Sequence, residues 1–389
     1  MSTKKRVLII SPIPTHPPEA GTRTGIASLA RMLAELGLEV HFLYTDYEKG
    51  DIAAMRAEWG DRFHHAPFHW PRRTVRRTLR HLRYVFREDF WGLRPVDAWY
   101  DPSLDEHVRT LHNRFHFDVA IAEYVFWSKA LEQLPGSVLK MVDTHDVFAM
   151  RHLLYTRRKL RYGWFSTPPE EEARGLSRAD VVVAISESDA EYFRSVISNR
   201  VVTVGRTFDI WRPDEARPVA GRMLFVASHT PINVDGLTHF VDAVLPKIRS
   251  AIPDAELYVV GAVGEAVEGR DGVVCLGRVP DIRTAYASAS VVVNPVRFST
   301  GISTKGLEAL AHARPLVATV PGAAGLTQHL RGEAVIAESD EEFTGASVRL
   351  LRDTSEAARM AEAAHAFAID WNKRSLAALA DALRDIPTV

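Results

Sequence analysis

The sequence predicts an α/β protein of two Rossmann-like domains that face each other across a cleft. Three observations lead there. At 389 residues the chain is too long for one ordinary domain and suits two of roughly 150–200 residues each. In both halves, short apolar runs alternate with segments of helical spacing, the pattern of a parallel sheet covered by helices on both faces. A proline-containing segment of mixed charge, residues 205–221, interrupts this rhythm, which then restarts. The expected domains are 1–205 and 206–370, and the terminal stretch 371–389 could finish either one.

The elements follow in order. Residues 6–11 (RVLIIS) form a continuous apolar run, as a strand buried on both faces requires. A proline- and glycine-rich loop is expected over 12–24. A helix then follows over 25–36, with Ile26, Leu29, Ala30, Leu33 and Leu36 on one face and Gly37 as its stop. The next strand is 39–44, which completes a βαβ unit. Further strands are expected at 119–122, 138–142 and 181–185. In the second half, MLFVAS, LYVVG, VVCLG, VVVNP and PLVAT read as strands. The segments 234–248, IRTAYASA and KGLEALAH read as helices between them, and residues 374–383 form the last helical stretch.

Composition excludes several classes. Hydrophobic residues make up 46% and charged residues 25%, so two sizeable cores can be buried. The 48 basic residues are balanced by 49 acidic ones, against the basic surplus of a bulk polyanion binder, so no nucleic-acid partner is expected. The single cysteine, Cys275, rules out an internal disulfide framework and a cysteine-cluster metal site. The N-terminal apolar run is too short for a signal peptide or a membrane span, and no later run reaches spanning length. A cytoplasmic protein is expected, with any membrane contact peripheral.

Chemistry is sought in the loops after strands, because ligands of open α/β sheets sit at the strands' carboxyl ends. The richest segment is NPVRFSTGISTKGLEALAHARPLVATVPGAAGL, residues 294–326. A loop containing Gly301 leads into a helix that starts near Thr304. A helix start offers free N–H groups and a partial positive charge, and Ser303, Thr304 and Lys305 add two hydroxyls and an ammonium. Glu308 lies on the same helix face and suits the hydroxyls of a ribose. One helix end thus offers a grip on both parts of a nucleoside diphosphate. The plain alternative is a capped helix with a surface Lys–Glu pair.

This segment resembles the C-terminal signature of retaining GT-B glycosyltransferases (glycosyl transferases group 1), which include bacterial sugar transferases acting on polysaccharides and lipids. Three further stretches resemble the same group: SRADVVVAISESDAEYF, MLFVASHTPINVDGLTHFVDAVLPKI and LGRVPDIRTAYASASVVVNP. The resemblance covers most of residues 177–330. It implies a sugar-nucleotide-dependent transferase with an acceptor-side domain over 1–205 and a donor-binding domain over 206–370, closing on the donor. It further implies that Lys305 and Thr304 hold the diphosphate, with Lys305 catalytic, and that Glu308 binds the ribose. Arg278 and Val279 would contact the base through the backbone, and Gly301, Ile302 and Ser303 would lie against the donor sugar. The sequence departs from the group at Thr300, where many members carry an acidic residue.

In the first half, Gly21 and Gly25 flank TRT in the loop after the first strand. The pattern is G-x-x-x-G and not the dinucleotide fingerprint, so NAD is not read here. Either glycine could let backbone approach a ligand on the acceptor side, or could serve a plain turn. His145 follows the strand VLKMVD, at a position where the group often has a histidine near the donor sugar; it is the second catalytic candidate. Glu123, after VAIAE, reads as an ordinary surface glutamate, with an acceptor contact as the alternative.

No paired-carboxylate, serine-triad or D-x-D metal pattern is present. No cofactor and no metal are expected, with a nucleotide sugar as co-substrate and a glycan, lipid-linked glycan or small molecule as acceptor. The alternatives are a sugar-nucleotide epimerase and a non-catalytic nucleotide-sugar-binding scaffold. Finally, residues 72–89 carry seven arginines, from Arg72 to Arg87, around an apolar stripe of Val75, Leu79, Leu82 and Phe86. Such a basic amphipathic helix packs on a core or docks on anionic lipid. Trp91, Trp99 and a second basic cluster from Arg157 would then share that surface.

Overall fold

The computed structural model describes residues 4–18, 21–70, 92–212, 218–299 and 301–386. The basic stretch with Arg72 and Arg87, Trp91 and Thr300 lie outside the described residues. The chain divides into two compact units. The first comprises Met1–Thr207 and Arg374–Val389, the second Phe208–Lys373.

The first unit is built on seven parallel strands: β1 (Arg6–Ser11), β2 (Glu39–Thr45), β3 (Phe63–Ala66), β4 (Val119–Glu123), β5 (Leu139–Asp143), β6 (Val181–Ala184) and β7 (Arg200–Thr203). Their order is β3-β2-β1-β4-β5-β6-β7. Val7, Leu8, Ile9 and Ile10 of β1 are completely buried, because a central strand has helices on both faces. Order reverses between β1 and β4, so the connections leave to opposite sides there and a crevice opens at their carboxyl ends.

The second unit repeats the plan with six parallel strands: β8 (Arg222–Val226), β9 (Glu256–Val260), β10 (Val273–Gly277), β11 (Val291–Asn294), β12 (Leu316–Thr319) and β13 (Ala334–Ala337). Their order is β10-β9-β8-β11-β12-β13, with the reversal between β8 and β11. Phe225, Leu257, Val259, Val293 and Val317 form the centre of its core. The helix after β8 runs Pro231–His239, widens to a π turn at Phe240–Val244 and continues as Leu245–Ala251. Pro246 has no N–H to close a regular turn, and the π turn absorbs that missing bond.

The last helix, Thr354–Ala382, passes from the second unit into the first, where Leu379 and Ala382 complete the core. Arg200 at the start of β7 fixes it there through Asp381, at 2.6 Å.

The strands expected from apolar runs are present. Three strands carry no long apolar run: β3, β7 and β13, each of four residues and half-buried at a sheet edge or next to one. The helix expected over 25–36 begins earlier and spans Gly21–Glu35, so Gly21 and Gly25 sit in a helix and not in a loop. Glycine's poor helix propensity argues for the later start. Tertiary bonds override it: Arg23 Nε donates to Glu48 at 2.9 Å, and Ser28 Oγ meets Thr207 Oγ1 at 2.6 Å. Trp99 is not an interface residue; it is 8% exposed and packs edge-on against Trp164 and Phe165. Among the described residues, no helix is long and apolar enough to cross a membrane.

Candidate active site

In the second unit, strand β11 ends at Asn294, whose amide organises the following loop. Its Nδ2 donates to the Gly322 carbonyl at 2.6 Å and to Ser303 Oγ at 3.1 Å. Ser303 caps the helix Thr304–Ala311 by accepting from the Gly306 N–H at 3.2 Å, and its hydroxyl donates to the Gly322 carbonyl. The cap leaves this hydroxyl committed within the fold. Gly322 tolerates no side chain, because a Cβ would stand 2.3 Å from the Asn294 carbonyl oxygen. Gly301 takes a left-handed φ of 66°, while Ile302 and Phe298 are buried and anchor the loop.

This frame presents Thr304, Lys305 and Glu308, all half-buried, on the first turns of the helix. Burial pushes the Lys305 ammonium down to about 8, against the pull of Glu308. Burial raises the Glu308 carboxyl, opposed by the Tyr286 hydroxyl and Lys305. Tyr286 OH donates to Glu308 Oε2 at 3.1 Å. Its ring stacks on His312 at 4.2 Å, and His312 Nδ1 donates to the Glu308 backbone carbonyl at 2.8 Å. Sequence reading missed Tyr286, which lies inside an ordinary amphipathic pattern. Arg278, exposed, and Val279, half-buried, lie in the loop between β10 and the helix Ile282–Ser288 that carries Tyr286. A cavity of about 400 Å³ also opens at the carboxyl ends of β11–β13, lined by Pro295, Arg297, Thr319 and Glu338; neither Lys305 nor Glu308 lines it.

In the first unit, His145 lies in a buried polar network at the carboxyl ends of β4 and β5. Glu123 and Asp143, the last residues of these strands, are register partners, so two carboxyl groups stand side by side with no exposure. The surface-glutamate expectation for Glu123 is therefore wrong: β4 is central, and its end is covered. His145 has a φ of 61° and stacks on Tyr124 at 4.1 Å. Arg206 Nη2 donates to His145 Nδ1 at 2.9 Å, and Arg206 Nη1 donates to Asp143 Oδ2 at 2.8 Å. Since Nδ1 accepts, the proton of the neutral ring sits on Nε2, which donates to Glu123 Oε2 at 2.5 Å. Both ring nitrogens are thus engaged, which leaves none free for acid–base exchange.

Burial pushes the imidazole down to about 4, although the Asp143 carboxylate pulls the other way. Burial and the neighbouring Asp143 raise the Glu123 carboxyl well above its usual range. Burial would raise Asp143 too, but Arg206 outweighs it and holds Asp143 below that range. Two adjacent buried carboxyls cannot both ionise, so the pair keeps one charge, balanced by Arg206, and one proton. Glu123 Oε1 finds no hydrogen-bond partner among the described residues, a loss that costs a neutral carboxyl less than a carboxylate.

Glu123, Asp143 and His145 present ligand atoms within 4.8 Å of one another, close enough in spacing for a metal ion. The donor set fits a cation poorly. The guanidinium already holds Asp143 Oδ2 and His145 Nδ1, and its charge repels a second cation at that place. Gly25 makes room for the guanidinium: a Cβ there would stand 3.0 Å from Arg206 Nε. Arg206 falls in the stretch that reads as linker, and no local signal ties it to residues some sixty positions earlier. Asp143 has a weak signal, as an acidic residue ending a strand.

Residues 220–353 match the family model described as glycosyl transferases group 1. No curated protein matches the sequence. Among solved structures, HepE from Anabaena, in complex with UDP and glucose, superposes with a TM-score of 0.65 at 15% identity, covering 98% of this chain and 100% of that one. Sucrose-phosphate synthase from Thermosynechococcus elongatus gives 0.70 at 16%, covering 98% of each chain. A variant of TarM from S. aureus, in complex with Fondaparinux, alpha-GlcNAc-glycerol and UDP, gives 0.68 at 9%, covering 98% of this chain and 100% of that one. At these identities the likeness is one of fold, the GT-B fold. Within this fold, residues 220–353 carry the segment that matches the glycosyl transferases group 1 model.

Proposed function

We propose that the protein transfers a sugar from a nucleoside diphosphate sugar to an acceptor hydroxyl, with retention at the anomeric carbon and without a metal ion. The observation that carries this reading is the desolvated Lys305–Glu308 pair on the first turns of one helix, with Tyr286 orienting the carboxyl. Lys305 and the helix start face the diphosphate, and Glu308 accepts from the ribose hydroxyls. Thr304 adds a hydroxyl. Arg278 and Val279 meet the base, and Gly301 and Ile302 meet the sugar.

In the transfer, the acceptor oxygen bonds to the anomeric carbon on the face that the diphosphate leaves. The anomeric carbon–phosphate oxygen bond breaks, and the acceptor's proton passes to that phosphate oxygen. Lys305 and the helix dipole stabilise the charge on the departing diphosphate, the task a metal ion performs elsewhere. His145, locked as a neutral ring, serves as a fixed polar group and not as a base. A uridine donor is the first to test, because HepE was solved with UDP-glucose and TarM with UDP.

The acceptor class is a glycan or a lipid-linked glycan. The arginine-rich stretch 72–89 supports docking on anionic lipid at the cytoplasmic membrane face, and sedimentation with anionic vesicles tests it; absence of binding removes this part. The core reading is tested by binding and slow hydrolysis of a nucleotide-sugar panel, comparing wild type with Lys305→Ala and Glu308→Ala. One donor bound by wild type and lost in both variants is expected. Unchanged variants would overturn the assignment.

A further inference from the structure

At the opposite end of the strands of the second sheet, the amino ends of β11 and β12 border a cavity of about 330 Å³. Much of its wall is apolar, with Ala313, Leu350, Ala357, Ala358 and Ala361, and Ser290 and Thr354 add two hydroxyls. Into this lining comes Arg314, only 5% exposed. Its Nε is buried and has no hydrogen-bond partner among the described residues. The acidic group of the lining, Glu362, is held by Arg212, whose Nη1 donates to Glu362 Oε2 at 2.8 Å. Among the described residues no carboxylate pairs with Arg314.

A guanidinium in this position is costly unless something compensates it. Arg314 cannot lose its proton to escape the cost, as a lysine could. Burial and the nearby Arg212 both work against its charge. An oxyanion matches the planar guanidinium with two parallel bonds, and the alanine- and leucine-lined remainder accepts an apolar body.

We propose that this cavity is a binding site for a small organic anion, with the anionic group on Arg314 and an apolar body against the alanines of the last helix. The site is separate from the Lys305–Glu308 pair. Its backbone joins that element directly, since the Arg314 N–H donates to the carbonyl of Ala309 on the same helix at 3.1 Å.

The test uses the full chain and calorimetric titration with hexanoate, with hexanol and inorganic phosphate as controls. Hexanoate is expected to bind saturably, and more tightly than either control. Arg314→Met should weaken hexanoate roughly tenfold or more, and should raise the melting temperature of the ligand-free protein because it removes a buried charge that no described carboxylate compensates. Ala358→Leu keeps the arginine and fills the cavity, and should abolish binding while the protein stays folded. Absence of saturable hexanoate binding overturns the proposal, as does binding that survives both variants. A lowered melting temperature in Arg314→Met would mean that the arginine is paired within the chain, and would overturn it too.

Discussion

Replacing Arg206 with methionine isolates the electrostatics of the buried network. The guanidinium is 7% exposed, donates to Asp143 and His145, and faces two carboxyls with no exposure at all. Methionine fills similar space but leaves Asp143 as an uncompensated buried charge. Removing one partner of such a pair costs about 3–5 kcal/mol. With a urea m-value of roughly 2–3 kcal/mol/M, the unfolding midpoint should fall by about 1–2.5 M. Tryptophan fluorescence follows the first unit, where Trp59, Trp99 and Trp127 are buried. Replacing both partners, as Arg206→Met with Asp143→Leu, removes the stranded charge and should recover more than half of the loss. Nitrogen-15 NMR should find His145 protonated on Nε2 in the wild type, with that preference lost in Arg206→Met because Nδ1 loses its donor. The single variant costing less than about 1 kcal/mol, or the double variant costing the sum of the two singles, would refute this account.

Three further outcomes are expected. Gly25→Val should displace the guanidinium and reproduce the Arg206→Met loss, since even a Cβ there stands 3.0 Å from Arg206 Nε; a crystal structure with Arg206 unmoved would contradict it. Lys305 must be protonated to hold a diphosphate, so UDP affinity should fall as pH rises through about 8, and Lys305→Ala should flatten that profile at roughly tenfold or more weaker binding by calorimetry. Asp97 is held down to about 2, because Arg178 and Arg174 outweigh its burial. Its contribution of about 2 kcal/mol is present above the unfolded value and lost as pH falls through the folded one. Asp97→Asn should therefore lower stability at pH 7 but not at pH 2.

Much of the fold was legible in the sequence because parallel strands buried on both faces must be continuous apolar runs. β1, β4, β5, β8, β9, β11 and β12 announced themselves in this way, and β10 is an apolar run at a half-buried edge. β3, β7 and β13 did not, since short half-buried strands need no such run. The Thr304–Ala311 element was legible for a local reason as well: its hydroxyl, lysine and glutamate fall within one and a half turns, so helical spacing alone places them together.

What local spacing cannot express was decided by tertiary structure. Tyr286 reaches Glu308 from another helix, and Arg206 reaches Asp143 and His145 across some sixty residues. The register of β4 against β5 sets Glu123 beside Asp143 and turns a surface glutamate into a buried acid. The last helix is uniform in pattern, yet its end fills the first unit's core. By itself the sequence determined which residues alternate between core and loop, because burial period is a property of neighbours along the chain. Charge state, tautomer and partnership were left to the fold, because they depend on which groups burial forces together.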